Sequence, residues 1–127
     1  MLVPPGSTVV IVEDDVDLLH ALKFALELEG WAVVIYETAE LLLQGTSLPS
    51  KGCLVLDQIL PGTSGLDLLM ELRARGSTMP AIIITTNPGE QLKRRIAKAG
   101  AIIVEKPLLG STLIDAIRSA LALPDGS

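Results

Sequence analysis

The chain has 127 residues, enough for one domain that buries about two-thirds of its unfolded surface. Its apolar share of 49% and mean hydropathy of +0.51 favour a core covered on both sides. With a net charge of −5 and no basic cluster beyond Lys93, Arg94 and Arg95, direct nucleic-acid binding is not expected. The lone Cys53 excludes an internal disulfide framework and fits a cytoplasmic location. No apolar run approaches the roughly 20 residues of a membrane span, and "MLVPPGS" is not a signal-peptide pattern.

The elements alternate along the chain. "TVVIVE" (8–13) reads as a buried strand, followed by a helix over Asp15–Glu29 with Leu18, Leu22, Ala25 and Leu26 on its apolar face and Gly30 at its end. "WAVVIY" (31–36) is the second strand, and Thr38 is placed to cap the short helix "AELLLQ". "CLVLD" (53–57) is the third strand; "GTSG", with Ser64 as cap, leads into a helix over Leu66–Arg75. "AIIIT" (81–85) is the fourth strand, after which Asn87 is expected to cap, and Pro88 to open, a helix that stops at Gly100. "AIIVE" (101–105) is the fifth strand, and Thr112–Leu123 the last helix. The strands are continuous and β-branched rather than alternating, which predicts an α/β fold: a doubly wound, five-stranded parallel sheet covered on both faces. A single domain over 1–127 is expected, with its core at about 8–123 and short tails, "LVPPGS" and "LPDGS".

In such a sheet, chemistry collects beyond the carboxyl ends of the strands. Those tips carry Glu13 and Asp14, then Asp57, Thr85 and Lys106. Two carboxylates about 5 Å apart repel by roughly 3 kcal/mol at an effective dielectric near 20, so three need cations beside them. Lys106 supplies one positive charge, and a hard, oxygen-seeking divalent ion such as Mg²⁺ would supply the rest. An aspartate so held is a competent nucleophile toward phosphorus, with cation and ammonium offsetting charge on the transferring group.

With "VVIVEDD", "LVLDQILPGTSGLDLL", "PAIIITT" and "GAIIVEKP" in this order, the chain resembles the receiver domains of two-component response regulators over about residues 8–123. The resemblance implies a flavodoxin-like (βα)5 receiver fold. It implies that Glu13, Asp14, Asp57 and the backbone carbonyl of Ile59 hold Mg²⁺. Asp57 would accept phosphate from a sensor histidine kinase or a phosphotransfer protein, Thr85 would bond the phosphoryl oxygen, and Lys106 would pair with it. The Lys106–Pro107 peptide would be cis. The face of the fourth helix, fifth strand and fifth helix would then meet an effector or a second copy. No turnover enzyme is implied, and the chain would be a stand-alone receiver or one cut from a longer regulator.

Three positions depart from the family pattern. Ile103 stands three residues before the lysine, where receivers commonly place Tyr or Phe, and Gly100 to Lys106 is one residue shorter than usual. Thr86 follows the switch threonine where Ala or Gly is frequent; its bulk is expected to hinder small phosphodonors and slow phosphate loss. Gln58 is polar where many receivers are apolar, and no role is read from it.

Plainer readings compete at each site. Asp57 would serve as a strand-end turn residue, and Glu13-Asp14-Asp15 as acids complementing a helix start, an account that suits Asp15. His20 is expected at the surface, Cys53 in the core, Trp31 and Tyr36 as packing or rim groups, and "LKRRIAK" (92–98) as a solvated face. Leu108 and Leu109 are candidates for an apolar patch on the output face. Among whole functions, a haloacid-dehalogenase-type phosphatase wants Asp-x-Asp, whereas Asp57 is followed by Gln58-Ile59. A flavodoxin-like electron carrier needs a glycine- and hydroxyl-rich loop after the first strand, where this chain has three acids. A degenerate receiver, binding partners without phosphorylation, is kept open by the missing aromatic.

Overall fold

The fold is a computed structural model that describes residues 7–45, 48–49, 51–108 and 110–122. Most of both expected tails, the far end of the last helix at Leu123, and Leu109 lie outside the described residues. In chain order the elements are β1 (Thr8–Val12), α1 (Val16–Leu28), β2 (Ala32–Tyr36), α2 (Ala39–Leu43), β3 (Gly52–Asp57), β4 (Ile59–Leu60), β5 (Thr63–Ser64), α3 (Gly65–Ala74), β6 (Ala81–Thr85), α4 (Glu90–Lys98), β7 (Ala101–Glu105) and α5 (Thr112–Leu121). Five strands form one parallel sheet, as the strand pattern predicted, and its order is β2-β1-β3-β6-β7; β4 and β5 pair separately as a small antiparallel hairpin.

Strand periodicity of two divides the core. Val9, Ile11, Cys53, Val55, Ile82 and Ile84 face α1 and α5, packing on Leu19, Leu26, Leu113 and Ile117. Val10, Val12, Leu54, Leu56 and Ile83 face the opposite layer and meet Leu42, Leu66, Leu69, Leu72 and Ile96 from α2, α3 and α4. Both faces being covered explains why β3 and β6 read as unbroken apolar runs: every residue of either strand is buried.

Several helix limits follow the expected chemistry. Asp15 caps α1 by accepting the Leu18 amide, Thr38 caps α2 through Leu41, and Ser64 caps α3 through Asp67. On α1, Leu19 and Leu26 are the buried pair, whereas Leu18, Leu22 and Ala25 are half-buried. The start of α4 differs from expectation. Asn87 sits at φ 43°, in the left-handed region, and the helix begins only at Glu90 with Gly89 at its N-cap and no side-chain bond there. A capping side chain needs extended backbone, so left-handed Asn87 serves as a turn residue instead. Cys53 is fully buried, and burial pushes its thiol up to about 12. Trp31 is buried beneath the Arg118 guanidinium, 5.8 Å from the ring centre, and Arg118 also pairs with Glu29. His20 is exposed, as are Arg94, Arg95 and Lys98 on α4, while Ile96 is its buried anchor. Leu108 is half-buried against the α1–α5 side of the core, and Leu109, named with it from sequence, lies outside the described residues.

Candidate functional site

The site lies where the chain order of the sheet reverses. From β1 the chain passes outward to β2, then returns to β3 on the other side of β1, leaving a crevice beyond the carboxyl ends of β1 and β3. The parallel register pairs Val12 with Leu56, so the next residues along, Glu13 and Asp57, leave their strands side by side.

Carboxylate oxygens of Glu13, Asp14 and Asp57 all lie within 4.8 Å of one another. Glu13 and Asp57 are buried, at 2% and 5% exposure, whereas Asp14 faces solvent. Lys106 reaches in from beyond β7, with its Nζ 3.2 Å from Asp57 Oδ2 and 3.6 Å from Glu13. Its backbone amide donates to the Thr85 carbonyl at 2.8 Å, which fixes the end of β7 against β6, and the following Lys106–Pro107 peptide is cis. Thr85 is buried at the tip of β6, at 4% exposure.

Two buried carboxylates beside one ammonium leave the crevice short of positive charge, which raises the proton affinity of Glu13. Burial, hydrogen bonding to Asp57 and the charge of Asp57 push the Glu13 carboxyl up to about 8, with Lys106 pulling the other way. Burial lowers Lys106, but hydrogen bonding and attraction to Asp57 and then Glu13 outweigh it, so its ammonium is held above its ordinary value. An all-oxygen donor set, short of positive charge and open on the Asp14 side, suits a hard divalent cation that retains water ligands.

The loop after Asp57 is built tightly. The Ile59 amide donates to Asp57 Oδ1 at 3.2 Å, and Ile59 pairs with Ser64 across the β4–β5 hairpin, whose turn is made by Pro61 and Gly62, the latter at φ +74°. The Ile59 side chain is 74% exposed, so the fold holds this residue by its backbone. Gly65 opens α3 so close to Asp57 that a Cβ there would lie 2.5 Å from the Asp57 carbonyl oxygen. Sequence spacing alone does not show this approach; the run "GTSG" signals only a turn before a helix. The Asp15 amide, 3.4 Å from Glu13 Oε2, is a second contact that spacing hid. All five strand-tip side chains named from sequence stand at this one edge, and Ile59 adjoins them. Thr86, the neighbour of Thr85, is exposed beside the crevice, and Ile103 is half-buried on the α4 side of the sheet.

A model of the response regulator receiver domain matches residues 9–118. The transcriptional regulatory protein FixJ of Azorhizobium caulinodans is 36% identical over 119 residues, covering 93% of this chain and 56% of that protein. The response regulator protein TodT of Pseudomonas putida is 33% identical over 119 residues, covering 93% and 52%. The chain thus spans about half the length of these relatives. The crystal structure of FixJ-N superposes with a TM-score of 0.82 at 32% identity, covering 95% of this chain and 98% of that one. The non-phosphorylated HemR receiver domain of Leptospira biflexa gives a TM-score of 0.87 at 24% identity, covering 95% and 98%, and supports the fold alone.

Proposed function

The chain belongs to the response regulator receiver domain family, a module of two-component regulation rather than a turnover enzyme, and we propose that within it Asp57 accepts a phosphoryl group from a partner histidine kinase or phosphotransfer protein. The observation that carries this reading is the buried Asp57 carboxylate 3.2 Å from Lys106, beside Glu13 and Asp14 at an open sheet edge.

Glu13, Asp14 and Asp57, with the Ile59 backbone carbonyl, would hold Mg²⁺, whose charge would offset that of the incoming phosphoryl oxygens. Asp57 offers the attacking oxygen. An oxygen–phosphorus bond forms as the phosphorus–nitrogen bond of the donor phosphohistidine breaks, and the imidazole leaves with the bonding pair. Lys106 holds Asp57 in place and stands where it can pair with the new phosphoryl oxygens. Thr85, at the adjoining strand tip, is the hydroxyl available to bond one of them. The added charge of about −1.5 to −2 draws Thr85 and Lys106 inward and biases the arrangement of β6, β7 and the helices beside them.

The α4–β7–α5 surface would present the result to a downstream effector or a second copy. Its kinship to the longer FixJ and TodT proteins supports a role as the receiver part of such a regulator, acting in the cytoplasm. Among the described residues no helix is long and apolar enough to cross a membrane.

Phosphotransfer profiling with phosphorylated histidine kinases in Mg²⁺ tests the reading. Labelling of the wild type, lost in Asp57→Ala and in excess EDTA, is expected; labelling that survives Asp57→Ala would sink it. Beryllofluoride with Mg²⁺ should also bind and shift conformation, and no response to it would favour a degenerate, unphosphorylated receiver.

A further inference from the structure

The first turn of α3 takes its hydrogen bonds from residue 58. The Gln58 carbonyl accepts the Gly65 amide at 3.0 Å, and the Gln58 side-chain Oε1 accepts the next amide, Leu66, also at 3.0 Å. Ser64 Oγ takes the third, from Asp67, at 3.0 Å. The first N–H groups of a helix have no partner within it, so residue 58 satisfies two of them at once. Leu66 is buried, at 1% exposure, and the Gln58 side chain is the acceptor that the structure gives its amide. On its other side Gln58 donates its own amide to the Ile84 carbonyl in β6 at 2.8 Å. One residue therefore joins β6, α3 and the peptide that follows Asp57.

That peptide bears on the site in both directions along the chain. Asp57 precedes Gln58, and Ile59, whose amide holds Asp57 Oδ1, follows it. The absent side chain of Gly65 lets α3 press against the Asp57 carbonyl, and the Gln58 side chain holds α3 there. We propose that Gln58 is a positioning residue: its side-chain amide locks the start of α3 against the Asp57–Ile59 turn and so fixes the oxygens that this turn offers to a divalent cation. The inference rests on the function proposed above. An apolar side chain of the same length would leave the Leu66 amide without that acceptor and loosen the turn. A glutamate would keep the acceptor.

The test compares wild type, Gln58→Met and Gln58→Glu by Mg²⁺ titration in a calorimeter, by labelling with phosphoramidate at varied Mg²⁺, and by amide hydrogen exchange at Leu66. In Gln58→Met we expect faster Leu66 exchange and Mg²⁺ affinity about tenfold weaker, the size of effect seen when a ligand-orienting partner is lost. Labelling in that variant should recover toward the wild-type rate as Mg²⁺ saturates, a split that a general loss of stability would not produce. Gln58→Glu should keep Leu66 protected and bind Mg²⁺ at least as well as wild type. If Gln58→Met binds Mg²⁺ and labels as wild type does, or if Gln58→Glu loses affinity as Gln58→Met does, Gln58 does not position the site. A wild type that ignores Mg²⁺ would instead overturn the receiver function itself, and this inference with it.

Discussion

At the scale of single residues, the site is governed by a shortage of positive charge. Glu13 shares a crevice with Asp57, and burial and that neighbour push its carboxyl up to about 8 from an ordinary value of 4.5. The native protein therefore binds a proton at Glu13 between these two values that the unfolded chain has released. Stability from this group is fully present below the unfolded value and is lost as pH rises through about 8. In EDTA, the urea midpoint should fall between pH 6 and pH 9, and Glu13→Gln should flatten that fall. Because a cation competes with the same proton, Mg²⁺ affinity should rise over that interval in wild type and change less in Glu13→Gln. Lys106 is the ammonium that both buried carboxylates share. Lys106→Met should slow phosphoryl transfer to Asp57 by about 100-fold, the scale of losing one electrostatic stabiliser, as read by labelling at saturating Mg²⁺. A labelling rate unchanged in Lys106→Met would remove the lysine from the reaction.

At the scale of elements, the loops after β3 and β6 decide where side chains arrive. Gly65 is constrained by backbone, not by a movable side chain: a Cβ would meet the Asp57 carbonyl oxygen at 2.5 Å and its carbon at 3.0 Å. Gly65→Ala must push α3 away from β3, at about 1–3 kcal/mol, the range for overpacking. Denaturant titration should show that loss, and Mg²⁺ affinity should fall with it. The α3 cap can be tested apart from the site. Ser64→Ala removes the acceptor for the Asp67 amide and should cost about 1 kcal/mol, with little effect on labelling. In the sequence Asn87 and Pro88 look like a cap and a first turn, whereas the structure starts α4 at Glu90 with Gly89 at its N-cap. What decides is the left-handed φ of Asn87, a conformation that asparagine tolerates and that no local pattern reveals.

At the scale of the whole molecule, the proposed switch has to connect the crevice to the α4–β7–α5 surface. In that proposal β6 and β7 would be the route, since Thr85 ends one, Lys106 follows the other, and a backbone bond joins these two residues at 2.8 Å. Thr85→Ala should still be labelled on Asp57 but lose the conformational shift that Mg²⁺ and beryllofluoride produce, measured by amide chemical shifts along β7 and α4. A full shift in that variant would exclude the hydroxyl from the switch. Ile103 stands on β7 where the family commonly has an aromatic, packed against the α4 side of the core. Without a ring that swaps between two positions, the proposed change there would be a repacking of aliphatic side chains or a backbone shift that the partner senses.

The sequence by itself determined the order of helices and strands, the parallel sheet and the five strand-tip side chains, because each depends on local periodicity and on the rule that sites lie beyond strand ends. It could not determine which tips touch. The 3.2 Å contact between residues 57 and 106, the raised proton affinity of Glu13, the approach of Gly65 to the Asp57 carbonyl and the reach of Gln58 to α3 come from elements far apart in the chain or from backbone angles. Strand order and register set those distances, and a carboxylate's proton affinity follows from what surrounds it in space, so only the tertiary structure could decide them.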